Sequence, residues 1–367
     1  MSHRRFSVLC LLLAVATSAS SQQVEWKDPS PHVATFITVE EGVQLEVLDW
    51  GGSGPAIVLL AGLGDTAHVF DDFAPMLTTK HRVLGVTRRG HGRSSAPASG
   101  YEFARLAEDV VRVIDAVGVK RPVIAGHSIA GEELHVLGSR YAAQIAGVVY
   151  IDAAFNRAGG SKDYDAVARK LPPAPRPEPA DLVSFTALRD FLRRTRRPVL
   201  PEAQLRARYV TNPDGSVGAA WVAPQVVEAF TKLMQAMSET YNRERIRVPS
   251  LAIYAVPESP ADLMRPWYKA HDPVVRENVQ TLYQLARERF GRHAKWFEGS
   301  AEGSRVSELP GEHHLFITNA REVRDQIEAF VSSLPKTPRA RRKREGETGS
   351  SKSGGKSGDS RPRVVQG

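Results

Sequence analysis

Cysteine is almost absent from this chain: one residue of 367 is cysteine, Cys10. It lies in an N-terminal stretch, MSHRRFSVLCLLLAVATSASSQQ, built like a secretory leader. His3, Arg4 and Arg5 form a basic start, Phe6 to Ala16 an apolar run, and small residues follow with a cleavage point near Ala19 to Ser21. Removal of residues 1–21 would leave no cysteine, which excludes disulfides, thiolate metal sites and cysteine catalysis. The apolar run is shorter than the ~20 residues of a membrane-spanning helix, and no other run is long enough. The expected location is secreted or periplasmic.

Motifs for cofactors are also lacking. GGSGP at 51–55 has no Lys-Ser/Thr and so is a turn rather than a phosphate-binding loop. HSIAGEELH is not a His-Glu-x-x-His zinc motif, and the adjacent His313 and His314 cannot readily face one ion. No metal or organic cofactor is implied. The net charge of +8 is mostly missing from the folded part. Residues 336–367 hold ten Lys/Arg against three Asp/Glu, a net +7. With Arg4 and Arg5 removed, the mature domain carries about −1. The Gly/Ser/Lys/Arg-rich tail has no aromatic residue to stack on bases, so no specific nucleic-acid binding is expected. A solvated, disordered tail able to contact anionic surfaces is the expectation.

What is present is a large globular domain, residues 22–335, in a chain 42% apolar. Short apolar runs without alternation occur at 56–61, 82–87, 122–126 and 145–152, and return at 248–255 and, weakly, at 304–310. Such runs suit strands buried on both faces. Phe103, Leu106, Val110, Val113 and Val117 recur at helical spacing until Gly118, and Val323, Ile327, Phe330 and Leu334 line a final helix. The alternation predicts an α/β fold: a doubly wound, mostly parallel sheet flanked by helices. Residues of about 155–245, with helices expected around 181–195 and 224–243, are too long for a connection. They read as an inserted, mainly helical lid.

The chemistry centres on VIAGHSIAGEELH, residues 123–135. A serine nucleophile on a sharp strand-to-helix turn needs small neighbours two places before and after it, as in Gly-x-Ser-x-Gly. Gly126 and Ala130 flank Ser128 in this way, and glycine comes one place later at Gly131. A serine hydroxyl needs a base, and the base needs an orienting acid. In the order Ser, acid, His, Glu258 follows the late strand and His314 stands before the last helix, with His313 as a weaker base candidate. Asp152, at the end of an earlier strand, is the alternative acid, and Asp262 lies too far along. His127 is structural, and Arg88, Arg89 and His91 hold the glycine-rich loop in shape.

These segments resemble the α/β-hydrolase superfamily, most closely its serine carboxylesterase-like members, over roughly residues 40 to 335. VPSLAIYAVPE is similar to the family's acid strand and places Glu258 at the acid; PGEHH places His314 at the base. AGLGD stands for HGxxG with Ala61 replacing the first histidine, and TRRGHGRS stands for DxRGxGxS with Thr87 replacing the aspartate. The resemblance implies a Ser128–His314–Glu258 triad. The backbone N–H groups of Leu63 and Ile129 would form the oxyanion hole. It implies an acyl-enzyme hydrolase whose substrate is a small or medium-sized carboxylic ester. Amidase, aminopeptidase, thioesterase, lactonase, carbon–carbon hydrolase and perhydrolase chemistry share the fold, as would a non-catalytic binding protein. Epoxide hydrolases and haloalkane dehalogenases resemble the chain but place Asp where Ser128 stands.

Overall fold

The computed structural model describes residues 26–157, 162–195, 197–220, 222–239, 244–301 and 303–335. The leader expected over 1–21 and the basic tail from Lys336 lie outside the described residues. Ten strands and nine α-helices are described. An eight-stranded sheet takes the spatial order β1 (Val33–Glu40), β2 (Val43–Gly51), β4 (Arg82–Val86), β3 (Ala56–Leu60), β5 (Val123–His127), β6 (Gly147–Ile151), β9 (Ser250–Ala255), β10 (Arg305–Leu309). Only the β1–β2 and β2–β4 pairs are antiparallel; the other five are parallel.

Strands β3, β5 and β6 are buried at every residue, which is why they read as unbroken apolar runs. Helix α1 (Phe103–Val117) buries Leu106, Val110 and Val113, and ends at Gly118 in the left-handed conformation, φ 73°. There the Gly118 N–H caps the Ile114 carbonyl. Helix α2 (Ala130–Arg140) follows β5 directly. The parallel half of the sheet is the doubly wound arrangement expected from the sequence.

Two features escape the sequence periodicity. Strand β1 does so as an edge strand exposed over its first four residues; its partner β2 does alternate, Val43-Gln44-Leu45-Glu46-Val47, a period-two signal distinct from the unbroken apolar runs. Helix α7 (Pro273–Ser300) buries Val275, Val279 and Leu282 at helical spacing, then nothing until His293 and Phe297, so its stripe breaks midway.

Between β6 and β9 lies the long insertion. It holds α3 (Lys162–Ala168), α4 (Phe185–Arg194), α5 (Glu202–Arg208), a small hairpin of β7 (Tyr209–Thr211) and β8 (Val217–Ala220), and α6 (Pro224–Glu239). Helices α4 and α6 fall within the two helical spans expected there. Helices α8 (Leu315–Thr318) and α9 (Ala320–Ser333) complete the chain, α9 burying Val323, Ile327 and Phe330. Among the described residues no helix is long and apolar enough to cross a membrane.

Candidate active site

Ser128 stands at the turn between β5 and α2 with φ +56°, a left-handed conformation rare for a residue with a side chain. The turn closes with the Gly131 N–H donating to the Ser128 carbonyl. Two close approaches explain the local sequence. A Cβ at position 126 would come within 2.9 Å of the Ala130 Cβ and 3.1 Å of Leu134 Cδ1. A Cβ at position 131 would lie 2.1 Å from the Ala153 carbonyl oxygen. The intolerant position is therefore Gly131, one place beyond the usual motif, and Ala130 fits because Gly126 faces it.

Three side chains form one hydrogen-bonded chain. His313 Nε2 lies 2.8 Å from Ser128 Oγ, and His313 Nδ1 lies 2.6 Å from Asp152 Oδ2. Asp152 is itself fixed: its Oδ1 accepts from the Ala255 N–H at 3.1 Å, and its own N–H donates to the Ile253 carbonyl at 2.7 Å. Its φ of +44° turns the chain sharply at the end of β6. The acid's side chain is 9% exposed and the imidazole 46%. The relay is thus anchored in the sheet at one end and open at the other.

Two expectations from the sequence do not hold in this geometry. His314, expected as the base, faces away from Ser128; its Nε2 is 3.5 Å from Asp65 Oδ2. The chain bends at His313 and enters α8 at His314, and both rings pack against His127, but only the His313 ring is carried to Ser128 Oγ. Glu258, expected as the acid, is exposed and its carboxylate meets neither histidine. Its N–H instead donates to Asp262 Oδ2 at 2.8 Å, starting the 3-10 turn Pro260–Leu263. Strand β6 is the immediate neighbour of β5, with Ile151 paired to His127, so Asp152 emerges beside Ser128. Strand β9 lies one strand further away. The alternative acid, Asp152, is the one the structure joins to a histidine.

Behind the relay lies His127, 1% exposed. Its Nε2–H donates to the His313 carbonyl at 2.9 Å, which leaves Nδ1 buried and bare. Burial, and then the nearby His313 and His314, hold its pKa well below the usual histidine range, so the ring is neutral. Adjacency to Ser128 was the only signal for it in the sequence.

The loop carrying Leu63 is held from three sides. Arg88, buried, donates to the Ala61 carbonyl at 2.9 Å and the Gly62 carbonyl at 3.3 Å, and pairs with Glu133 of α2. Gln204 of α5, fully buried, accepts from the Thr66 N–H and hydroxyl at 3.0 and 2.7 Å, and donates to Asp65 at 3.1 Å. Thr87, in the place of the family's aspartate, accepts from the Ala67 N–H and donates to Glu46. Among the described residues neither the Leu63 nor the Ile129 N–H is taken by a protein acceptor. Ile129 belongs to the same buried apolar cluster as Val226 and Phe230 of α6, so the insertion shares a core with the serine turn.

Comparison with known proteins agrees with this architecture. An uncharacterised protein of Mycobacterium tuberculosis is 25% identical over 183 residues, 50% of this chain and 49% of the relative. The bifunctional esterase/perhydrolase of Acinetobacter calcoaceticus is 32% identical over 108 residues, 29% of this chain and 39% of the relative. The matches therefore span about half or less of those relatives' lengths. The crystal structure of E-2-(acetamidomethylene)succinate hydrolase superposes with a TM-score of 0.56 at 16% identity, covering 82% of this chain and all of that one. That likeness is one of fold. The family model for the alpha/beta hydrolase fold matches residues 55–320, which contain the serine turn, its acid and its histidine, and the chain belongs to that family.

Proposed function

We propose that the protein is a serine hydrolase that cleaves a carboxylic ester of a small or medium-sized substrate through an acyl-enzyme intermediate. The observation that carries this reading is the unbroken Ser128–His313–Asp152 relay. His313 takes the Ser128 proton as Oγ attacks the carbonyl carbon, and Asp152 holds the imidazole's tautomer and stabilises the imidazolium. The tetrahedral oxyanion is received by the Leu63 and Ile129 N–H groups, neither of which is taken by a protein acceptor among the described residues. Collapse of this intermediate passes the proton from His313 to the leaving alkoxide. Water, activated by the same histidine, then releases the acid and restores the serine. The names of the esterase/perhydrolase and of a 2-(acetamidomethylene)succinate hydrolase relative from Mesorhizobium japonicum favour hydrolysis over a non-catalytic role.

Turnover of p-nitrophenyl esters of graded chain length, beside the matching anilides, tests this reading. The expected result is ester turnover that disappears in Ser128→Ala while circular dichroism is unchanged. Turnover retained in Ser128→Ala, or activity on the anilides alone, would contradict it.

A further inference from the structure

A second cluster of titratable side chains shares no residue with the serine relay. Asp28 and His32 lie just before β1, and His68 and Asp71 lie in and just after the 3-10 turn Ala67–Phe70. One ligand atom from each of the four falls within 4.8 Å of all the others. His32 Nδ1 is 2.9 Å from Asp71 Oδ1, and His68 Nδ1 is 3.0 Å from Asp71 Oδ2. Asp28 Oδ2 is 3.6 Å from His32 Nε2 and 3.5 Å from His68 Nδ1. A tetrahedral ion with bonds of about 2.0–2.2 Å sets its ligands roughly 3.3–3.6 Å apart; Asp28 already stands at that separation from both rings, and the two Asp71–histidine hydrogen bonds would open by about half an ångström to admit the ion.

The surroundings point the same way. Glu46 on β2 has a side chain 1% exposed, and its Oε1 has no hydrogen-bond partner. That oxygen lies 3.8 Å from His68 Nε2, on the side of the ring away from Asp28 and Asp71. A carboxylate behind a histidine is the usual support of a metal-bound imidazole. Trp50 Nε1–H donates to Asp71 Oδ1 at 3.2 Å, which orients the buried carboxylate. Three carboxylates, Asp28, Asp71 and Glu46, surround the two imidazoles, and among the described residues the exposed Arg93 lies 3.6 Å from Glu46. A divalent ion bound by neutral imidazoles would take the place of the charge that a protonated His68 otherwise supplies to these carboxylates. A cavity of about 590 Å³ lined by Asp28, Glu46 and His68 gives access.

We propose that Asp28, His32, His68 and Asp71 bind a divalent transition-metal ion of the zinc class, with Glu46 and Trp50 supporting the ligands from behind. Two imidazole nitrogens with carboxylate oxygens suit zinc and its first-row neighbours better than calcium or magnesium, which take oxygen ligands. The ion would tie the segment before β1 to the loop that also carries Leu63 and Thr66. The i, i+4 and i, i+3 pairs come from two distant segments, so no contiguous zinc motif announces the site.

The test uses the full chain, stripped with a chelator and titrated with Co²⁺, then Zn²⁺. The expected result is one Co²⁺ per chain with the visible bands of a four-coordinate ion, displaced by zinc, and a melting temperature raised by zinc. Asp28→Asn and His32→Gln, in the segment before β1, should each weaken binding at least about tenfold. A folded wild-type chain that gives no Co²⁺ band and retains no zinc would overturn the proposal. So would binding unchanged in both variants, or binding lost instead in His314→Gln, which would place the ion at the Asp65–His127–His314 group. Because the readouts are spectroscopic and thermal, they stand apart from the fate of the ester-hydrolase reading.

Discussion

The turn after β6 and the turn after β9 each offer a carboxylate at the end of a buried parallel strand, and they differ in every respect that matters for a relay. Asp152 follows β6 at once, is 7% exposed, and is clamped by the Ala255 N–H. Glu258 comes three residues after β9, is exposed, and begins a separate turn capped by Asp262. Strand β6 is next to the serine strand; β9 is two strands away, or about 10 Å at ordinary spacing. Reach across the sheet, not order along the chain, decides which of the two carboxylates meets the histidine. Asp152 gains a second advantage from its backbone: the left-handed turn at φ +44° follows immediately on the last paired residue, Ile151.

The same contrast applies to the paired histidines, and there the largest effect is expected. His313→Ala should lower kcat on a soluble ester by about five powers of ten, whereas His314→Ala should cost no more than about one. Equal losses would mean that the loop exchanges the two rings and that the contrast is false.

A smaller effect separates the glycines around the turn. Gly131→Ala drives a methyl into the Ala153 carbonyl, one residue past Asp152, and should destabilise by about 3 kcal/mol with a matching fall in melting temperature. Ala130→Gly should cost about 1 kcal/mol, the helix-propensity difference alone. Reversal of that order would show that the motif's fifth position, not its sixth, is the tight one.

Acid sets the limit below which the two carboxylates can be compared. Burial first, and then Arg88, lower the His91 pKa to about 4. The unfolded chain takes up this proton near the usual 6.5, so stability is full above that value and is lost as pH falls toward 4. The loss should be on the order of 2–3 kcal/mol over this window and should shrink in His91→Gln. Denaturant midpoints measured across the window check it. The same loss in wild type and His91→Gln would mean that His91 takes up its proton at the same pH in the folded and unfolded chain.

The parallel sheet was legible in the sequence because β3, β5 and β6 are buried on both faces and leave unbroken apolar runs. Ser128 was legible because the turn imposes small residues at fixed distances. The acid and base were legible as types and only loosely as positions. Asp152 was visible as a strand-end carboxylate, but its adjacency to Ser128 depends on sheet order, which no local pattern records. His313 and His314 are chemically identical neighbours, and which one faces the serine is decided by loop direction. His127 and Gln204 act through contacts 186 and 138 residues apart, beyond any local signal.

The most direct test of the relay is the rate at which a fluorophosphonate labels Ser128 in the wild-type chain, in Asp152→Asn and in Glu258→Gln, with folding checked by circular dichroism and the adduct placed by peptide mass. Labelling requires a serine activated by its histidine and acid. The prediction is wild-type-like labelling in Glu258→Gln and labelling slowed by about three to four powers of ten in Asp152→Asn. Slow labelling in Glu258→Gln beside wild-type-like labelling in Asp152→Asn would contradict the account and return the acid to the turn after β9.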